Sequence, residues 1–334
     1  MRRSIAAIVF VLFALVPAKS WAWGCTGHQV VAYIAAQNLN PAATAKVADL
    51  LSDVTYGDFK RFCAVTKLGS MEFYATWPDD SRTDANAGWH FWDVPLADKT
   101  AAMPKFCDGA GCVVSALKTQ VAILQDTSAD RVARQQALMF VIHFMGDEHQ
   151  PLHVVDNGDR GGNCVPVSFD LPGFTRTTSQ GKDKEGNPNG SYSPNLHSIW
   201  DSSIIETMTG VENATNRDML TKAFADSIAS SYKSTIKTAK SKHVNFDTDF
   251  ETWAIASHKL AGPKAYKKLA AAIPVDPHPA MLTSCLGVSS NFAPLNEVAG
   301  ATYIASEKPV IRRQLALAGG RLAAVLNTVW PATN

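Results

Sequence analysis

Excess charge of either sign is missing from this chain: 31 Lys and Arg stand against 30 Asp and Glu over 334 residues, a net of +1. That balance excludes a strongly basic surface of the kind that grips duplex nucleic acid through its phosphates alone. Any attraction for phosphate has to come from another source. Charged residues are few, 18% against 46% hydrophobic, which excludes a disordered chain and suits a folded one with a large core. Long alternating β-branched runs are scarce, and Asn163 to Phe169 (NCVPVSF) is the best short-strand candidate. Internal repeats are absent, and no segment after residue 22 is apolar for long enough to span a bilayer.

One apolar run does stand out. Arg2 and Arg3 precede Ile5 to Val16, followed by Pro17 and by the small residues around Ser20-Trp21-Ala22. At roughly a dozen residues the run is short for a membrane span, and its flanks are those of a cleaved secretory signal over residues 1–22. The expected destination is secreted or periplasmic, with no transmembrane segment left after cleavage. Cleavage removes Arg2, Arg3 and Lys19, so 28 bases face 30 acids and the mature net charge is −2.

All six cysteines, Cys25, Cys63, Cys107, Cys112, Cys164 and Cys285, survive that cleavage. An even count in an exported protein reads as disulfides rather than a thiolate metal site. Cys107 and Cys112 enclose only Asp-Gly-Ala-Gly, a turn that suits a local bridge. The other four allow three pairings, among which the sequence does not choose.

Apolar residues recur at helical spacing through most of the chain, as in Val30-Val31-Ile34-Ala35, Leu138-Val141-Ile142 and Leu315-Ala318-Leu322-Val325-Leu326. Asn40-Pro41 marks a helix start, and Ser128 stands before an acidic first turn at Asp130. Between Asp170 and Asn195 the composition turns to Gly, Pro, Ser, Thr, Asn and Lys, which predicts a long flexible surface loop at about 170–194. The class expected is all-α, with one domain over residues 23–334.

The histidines carry the chemistry. In His143-Phe144-Met145-Gly146-Asp147-Glu148-His149-Gln150-Pro151-Leu152-His153, the four-residue step from His143 to Asp147 puts an imidazole and a carboxylate on one helical face. His197-Ser198-Ile199-Trp200-Asp201 repeats the step. Imidazole and carboxylate together suit zinc, and without cysteine such a site keeps room for water. His149 and His153 compete as a pair, although Pro151 bends the chain between them. His243 and His278 read as solvated and His258 as structural. After cleavage the chain would begin Trp23-Gly24-Cys25-Thr26-Gly27-His28, where a free α-amine and the Trp23 carbonyl can chelate a metal that His28 also reaches.

These pieces occur in a fixed order: WGxxGH at Trp23 to His28, Trp77-Pro78-Asp79-Asp80-Ser81-Arg82, and His90-Phe91-Trp92-Asp93. HFxGDxHQPLH follows from His143 to His153, then Gly161-Gly162-Asn163, NLHSxWD from Asn195 to Asp201, and Gly320-Arg321-Leu322-Ala323. Together they resemble the secreted zinc-dependent single-strand nucleases of the fungal S-one and P-one type, over the whole mature chain. The resemblance implies a phospholipase C/P-one nuclease-like all-α fold with a short hairpin-like excursion, stapled by disulfides and monomeric, with three Zn2+ in one cleft.

Carried over position by position, Asp79, His90, His143 and Asp147 would hold the first zinc, and His153, His197 and Asp201 the second. Trp23, through its amine and carbonyl, would hold the third with His28 and a shared Asp147. Three dications against three carboxylates would make the cleft floor positive and so supply the phosphate attraction that the chain's own charge lacks. The resemblance further implies that a zinc-bridged hydroxide attacks phosphorus in line, with Arg82 as the transition-state cation beside Asp79 and Asp147. Phe91 would stack on a base, Asp93 would bond its edge, Tyr192 would serve a second nucleotide, and Asn163 would touch phosphate. Substrates would be single-stranded DNA and RNA cut to 5′-phosphate products, and 3′-mononucleotides. Pro78, in place of a more usual small residue, and the length of the 170–194 segment are departures from the pattern. Two other readings remain open at this level: a zinc-dependent phospholipase C, from which the Trp23 to His28 spacing and the acid at Asp201 differ, and a non-catalytic secreted protein that binds zinc or single strands.

Overall fold

The structure, a computed structural model, describes residues 23–55, 69–98, 106–107, 111–269, 273–280, 282, 284–286 and 297–332. The signal expected at 1–22 and Cys63 lie outside the described residues. Twelve α-helices are found among them. The chain opens with α1 (Cys25–Ala36) and α2 (Pro41–Leu51), passes through the short α3 (Met71–Tyr74) and α4 (Trp77–Asp80), and continues with α5 (Val113–Gln125) and α6 (Arg131–Asp147). After a strand-rich excursion come α7 (Leu196–Ser198), α8 (Ile204–Thr209), α9 (Arg217–Ser231), α10 (Lys233–Lys240), α11 (Asp249–Leu260) and the long closing α12 (Ala301–Val329).

Helix α6 is central. From Ala137 to Asp147 every residue is buried, so this half of the helix is enclosed on all sides rather than amphipathic. Helix α5 packs on it, and α12 lies against both α6 and α1. Two predicted helix starts can be compared with their caps. Asn40 Oδ1 accepts from Ala43 N at 2.8 Å with Pro41 in the first turn, as expected. At α6, however, the cap is Asp130, whose Oδ1 accepts from Ala133 N at 3.0 Å. Ser128 instead closes a turn on Asp126, donating its N–H at 2.8 Å.

The segment expected as a loop contains four strands. β1 (Ser168–Leu171) and β2 (Phe174–Arg176) form one hairpin, β3 (Ser179–Lys182) and β4 (Pro188–Ser193) another. The two-residue β5 (Val298–Ala299) adds to β1 in parallel, with Phe169 beside Ala299. Most side chains of β2 to β4 are exposed or half-buried. Strands β2 and β3 have no buried face, and on β4 only Gly190 and Tyr192 turn inward, so these strands lack the apolar alternation by which a strand announces itself. Of the NCVPVSF candidate only Ser168 and Phe169 enter a strand.

Disulfides join Cys107 to Cys112 and, across 121 positions, Cys164 to Cys285; Cys25 is also disulfide-bonded. No helix among the described residues is long and apolar enough to cross a membrane.

Candidate metal centre

Three pieces of chain frame the C-terminal end of α6, and they are joined there by His28 of α1, Asp79 of α4 and His153 of the turn Pro151–Val154. The first is an extended strap that begins at His90 and runs beside residues 153–156: Trp92 N donates to His153 O at 2.7 Å, Asp156 N to Val94 O and Leu96 N to Asp156 O, both at 2.8 Å. The second is α6 itself, which presents His143 and Asp147 one turn apart. The third is α7, capped reciprocally by Asn195 and Ser198. It carries His197 and leads into a wider π-helical turn (Ile199–Ser203) that carries Asp201.

All eight side chains expected as ligands fall into three buried groups: His28 with His143 and Asp147, Asp79 with His90 and His143, and His153 with His197 and Asp201. Within the first two groups, Asp147 Oδ1 lies 3.3 Å from His28 Nε2, and Oδ2 lies 3.1 Å from His90 Nδ1 and 3.3 Å from His143 Nε2. Asp79 Oδ1 is 3.6 Å from His143 Nε2 and 3.7 Å from His90 Nδ1. In the third, Asp201 Oδ2 is 3.2 Å from His197 Nε2 and Oδ1 is 3.7 Å from His153 Nε2.

Backbone carbonyls set the direction of three imidazoles. The Nδ1–H groups of His143, His153 and His197 donate to Ala75 O at 2.7 Å, His90 O at 2.8 Å and Gly161 O at 2.7 Å. A carbonyl only accepts, so each of these rings carries its proton on Nδ1 and turns the Nε2 lone pair inward. Two such lone pairs, on His153 and His197, face each other across 3.0 Å. That contact is repulsive unless a cation or a proton lies between them. Asp147 Oδ1, Asp79 Oδ1, Asp201 Oδ2 and both His28 nitrogens are buried without a hydrogen-bond partner. Clustered, oriented and unsatisfied nitrogen and oxygen donors fit divalent cations of the zinc type.

Close packing places the remaining ring. His28 stacks on His143 with centroids 3.8 Å apart. A Cβ on Gly146 would meet His28 Nδ1 at 2.8 Å, so glycine at that point of α6 admits the ring.

Burial favours neutral imidazoles in the first two groups. Burial, aided by neighbouring histidines, holds His28 and His90 well below the usual histidine range, and burial also lowers His143. Burial pushes the Asp79 carboxyl up to about 7 and Asp147 well above the usual range. In the third group burial is outweighed: His197 and Asp201 sustain each other's charges, raising the imidazole and lowering the carboxyl.

The remaining candidates surround these groups. Arg82, half-buried just past α4, donates Nη2 to Ala87 O at 3.2 Å and is close enough to Asp79 and Asp147 to interact with both charges. Alternation along the extended strap buries Trp92 and leaves Phe91 and Asp93 half-exposed. Burial, with Asp156 nearby, pushes the Asp93 carboxyl up to about 7. Trp23 is fully buried, and the next residue, Gly24, donates its N–H to Asp201 O at 2.7 Å. Tyr192 lies on β4, only 9% exposed, its hydroxyl accepting from Gln180 Nε2 at 3.1 Å. Asn163 donates its side-chain N–H to Arg160 O at 2.8 Å.

Sequence reasoning missed the supporting groups. Gln150, inside the HFxGDxHQPLH run, donates to Asp201 Oδ1 and accepts from Leu152 N, both at 2.6 Å, and so ties Asp201 to the turn that carries His153. The carbonyls of Ala75 and Gly161 left no sequence signal of their own. His149 does not pair with His153: its Nε2 accepts from Arg321 at 2.7 Å on the α12 side. His258 bonds two backbone carbonyls and is structural, while His243 and His278 are exposed.

The family model described as S1/P1 Nuclease matches residues 23–331. Endonuclease 2 of Arabidopsis thaliana is 26% identical over 92% of this chain and 90% of its own length. Nuclease S1 of Aspergillus oryzae is 26% identical over 93% and 92%, and nuclease P1 of Penicillium citrinum 27% over 62% and 67%.

Proposed function

The chain belongs to the S1/P1 nuclease family, and on that premise we propose that it is a secreted or periplasmic, zinc-dependent nuclease of single strands. At the coarser level it is a hydrolase of phosphodiester bonds whose substrate is nucleic acid and whose His and Asp groups fit a metal cofactor. The finer reading has the mature chain, one nuclease domain from Trp23 onward, cut single-stranded DNA and RNA to 5′-phosphate products and dephosphorylate 3′-mononucleotides.

Three zinc ions are proposed. Asp79, His90, His143 and Asp147 would hold one, and His153, His197 and Asp201 another. The Trp23 amine and carbonyl, with His28 and Asp147, would hold the third. When bound, such ions polarise phosphoryl oxygen and lower the pKa of water toward neutrality.

The chain's own residues do the rest. Arg82 reaches the non-bridging phosphate oxygens and balances the charge that grows on them in the transition state. Phe91 offers a ring face to any unpaired base, and Asp93, on the same side of the strap, accepts a hydrogen bond from its edge. Stacking on a ring requires an unstacked base, which is the physical basis of single-strand preference. Tyr192, largely buried on β4 with its hydroxyl bonded by Gln180, would serve a second nucleotide only where a longer strand reaches it. Asn163 retains one amide N–H for phosphate beyond the one it gives to Arg160.

The observation that carries this reading is the inward convergence of carbonyl-oriented imidazoles and unpartnered carboxylates in three groups beside a half-buried arginine. The test is hydrolysis of single-stranded DNA, RNA and 3′-AMP by protein beginning at Trp23, with zinc counted in the same sample. Near three zincs and cleavage to 5′-phosphate ends that EDTA abolishes is the expected result. Fewer than two zincs would refute the ligand assignment, and three zincs without phosphodiester cleavage would refute the substrate.

A further inference from the structure

The loop from Asp156 to Asn163 holds the third group in place, and it presents a cation that the motif reading passed over. Arg160 has φ 58°, a left-handed conformation that long side chains adopt only where the surroundings impose it. Its N–H donates to Asp156 Oδ1 at 2.9 Å. Its carbonyl accepts from the Asn163 side chain at 2.8 Å and from Asn163 N at 3.3 Å. Both backbone polar groups are therefore clamped, and the clamp on the carbonyl is the very residue expected to meet phosphate. The next residue, Gly161, supplies the carbonyl that orients His197, so Arg160 stands one peptide from the centre's own scaffold.

The side chain itself is not engaged. Arg160 is exposed, and no hydrogen bond or ion pair of its guanidinium is found among the described residues. Its charge is close enough to interact with Arg82, Asp93 and His197, and its neighbour Gly161 is hydrogen-bonded to His197 of α7. Two guanidinium groups thus share one rim, Arg82 half-buried beside the first two groups and Arg160 exposed beside the third. Asp93 lies within reach of the Arg160 charge but forms no ion pair with it among the described residues, and two like charges held near each other with the outer one unpaired make a site for an anion.

We propose that Arg160 binds a backbone phosphate of the nucleic-acid strand flanking the scissile phosphate, which is left to Arg82. The outer, exposed position favours the flanking group over the reacting one. This inference rests on the nuclease reading above.

Arg160→Gln keeps the same backbone demand and removes the charge, and Arg160→Lys keeps the charge without the planar fork. With a single-stranded oligonucleotide, R160Q should raise KM about tenfold while kcat stays within about twofold. The slope of log kcat/KM against log salt should flatten by about 0.7, the contribution of one phosphate contact on a single strand. R160K should keep the steeper slope and recover part of the KM. A dinucleoside monophosphate, whose only phosphate is the scissile one, should be cleaved alike by all three proteins, with equal zinc contents and melting temperatures. An unchanged oligonucleotide KM and salt slope would overturn the proposal, as would an equal KM rise for the dinucleoside monophosphate, which would move Arg160 to the reacting phosphate. A zinc-loaded parent that cuts no single strand would bring down the nuclease reading and this inference together; an active parent with an unaltered R160Q brings down this inference alone.

Discussion

Asp147 is where two of the three groups meet, with one carboxylate oxygen toward His28 and the other toward His90 and His143. Burial pushes the pKa of this carboxylate upward, aided by the charge of Asp201, and the opposing charges of His153 and Arg82 do not offset it. Asp147→Asn is therefore expected to cost more than one bound zinc per chain and at least about 100-fold in activity; metal analysis showing the loss of a single equivalent would mean that the carboxylate is not shared. Asp93 supports a different prediction, on pH. Its folded pKa of about 7 lies above the value near 3.9 of an unfolded chain. The folded state thus favours the proton, and the associated stability is complete below about pH 4 and lost as pH rises through 7. Asparagine has nothing to lose in that window. In metal-stripped protein, the stability of Asp93→Asn should gain on that of the parent from pH 5 to pH 8, by at most about 2.5 kcal/mol, which melting curves at each pH can read; a difference that stays constant with pH would show that the Asp93 carboxyl ionises without cost.

Helix α1 brings His28 to the centre, and it is α12 that presses α1 into place. At their crossing a Cβ on Gly319 would lie 2.5 Å from Ile34 Cγ2 and 3.1 Å from the Val31 carbonyl oxygen. Gly319→Val should therefore lower stability by roughly 3 kcal/mol through overpacking and release zinc first from the position that includes His28, which calorimetry and metal titration can read in one series. A variant of parental stability and zinc content would mean that the crossing has slack. Elements of this kind were legible in the sequence because a buried helical face repeats every three to four residues, as Val30, Val31 and Ile34 do. Part of the candidate ligand set was legible for a related reason, since His143 and Asp147, like His197 and Asp201, are neighbours along a single helical path, whereas Asp79 and His90 came only with the family resemblance. Strands β2 to β4 were not, because neither of their faces is buried enough to impose alternation. The Cys164–Cys285 pairing was not either, being set by how distant segments meet rather than by spacing. Arg160 escaped notice because what singles it out is a backbone angle and a borrowed cap, neither of which leaves a pattern in the residues around it.

At the scale of the whole molecule, a chain of nearly zero net charge has to acquire its affinity for a polyanion, and the proposed cations provide it in full only once the N-terminus is finished. Trp23 is fully enclosed, and Gly24 is bonded to the carbonyl of Asp201, so residues 23 and 24 are packed against the same turn that carries the carboxylate of Asp201. A free amine at Trp23 can donate its lone pair there; an amide nitrogen, which any preceding residue would make of it, cannot. Protein starting at Ala22 is therefore expected to hold two zincs tightly and to lose the third, with activity falling accordingly, while protein starting at Trp23 holds all three. The side-chain groups Asp79–His90–His143 and His153–His197–Asp201 are unaltered by the extra residue, so a retained pair of zincs separates this effect from general misfolding. Export and activation would then be one event, the cleavage that frees Trp23 also completing the centre, and the cell would be spared an active nuclease before secretion. An extended form with three tightly bound zincs and full activity would show that side chains alone close the third site and would remove that link.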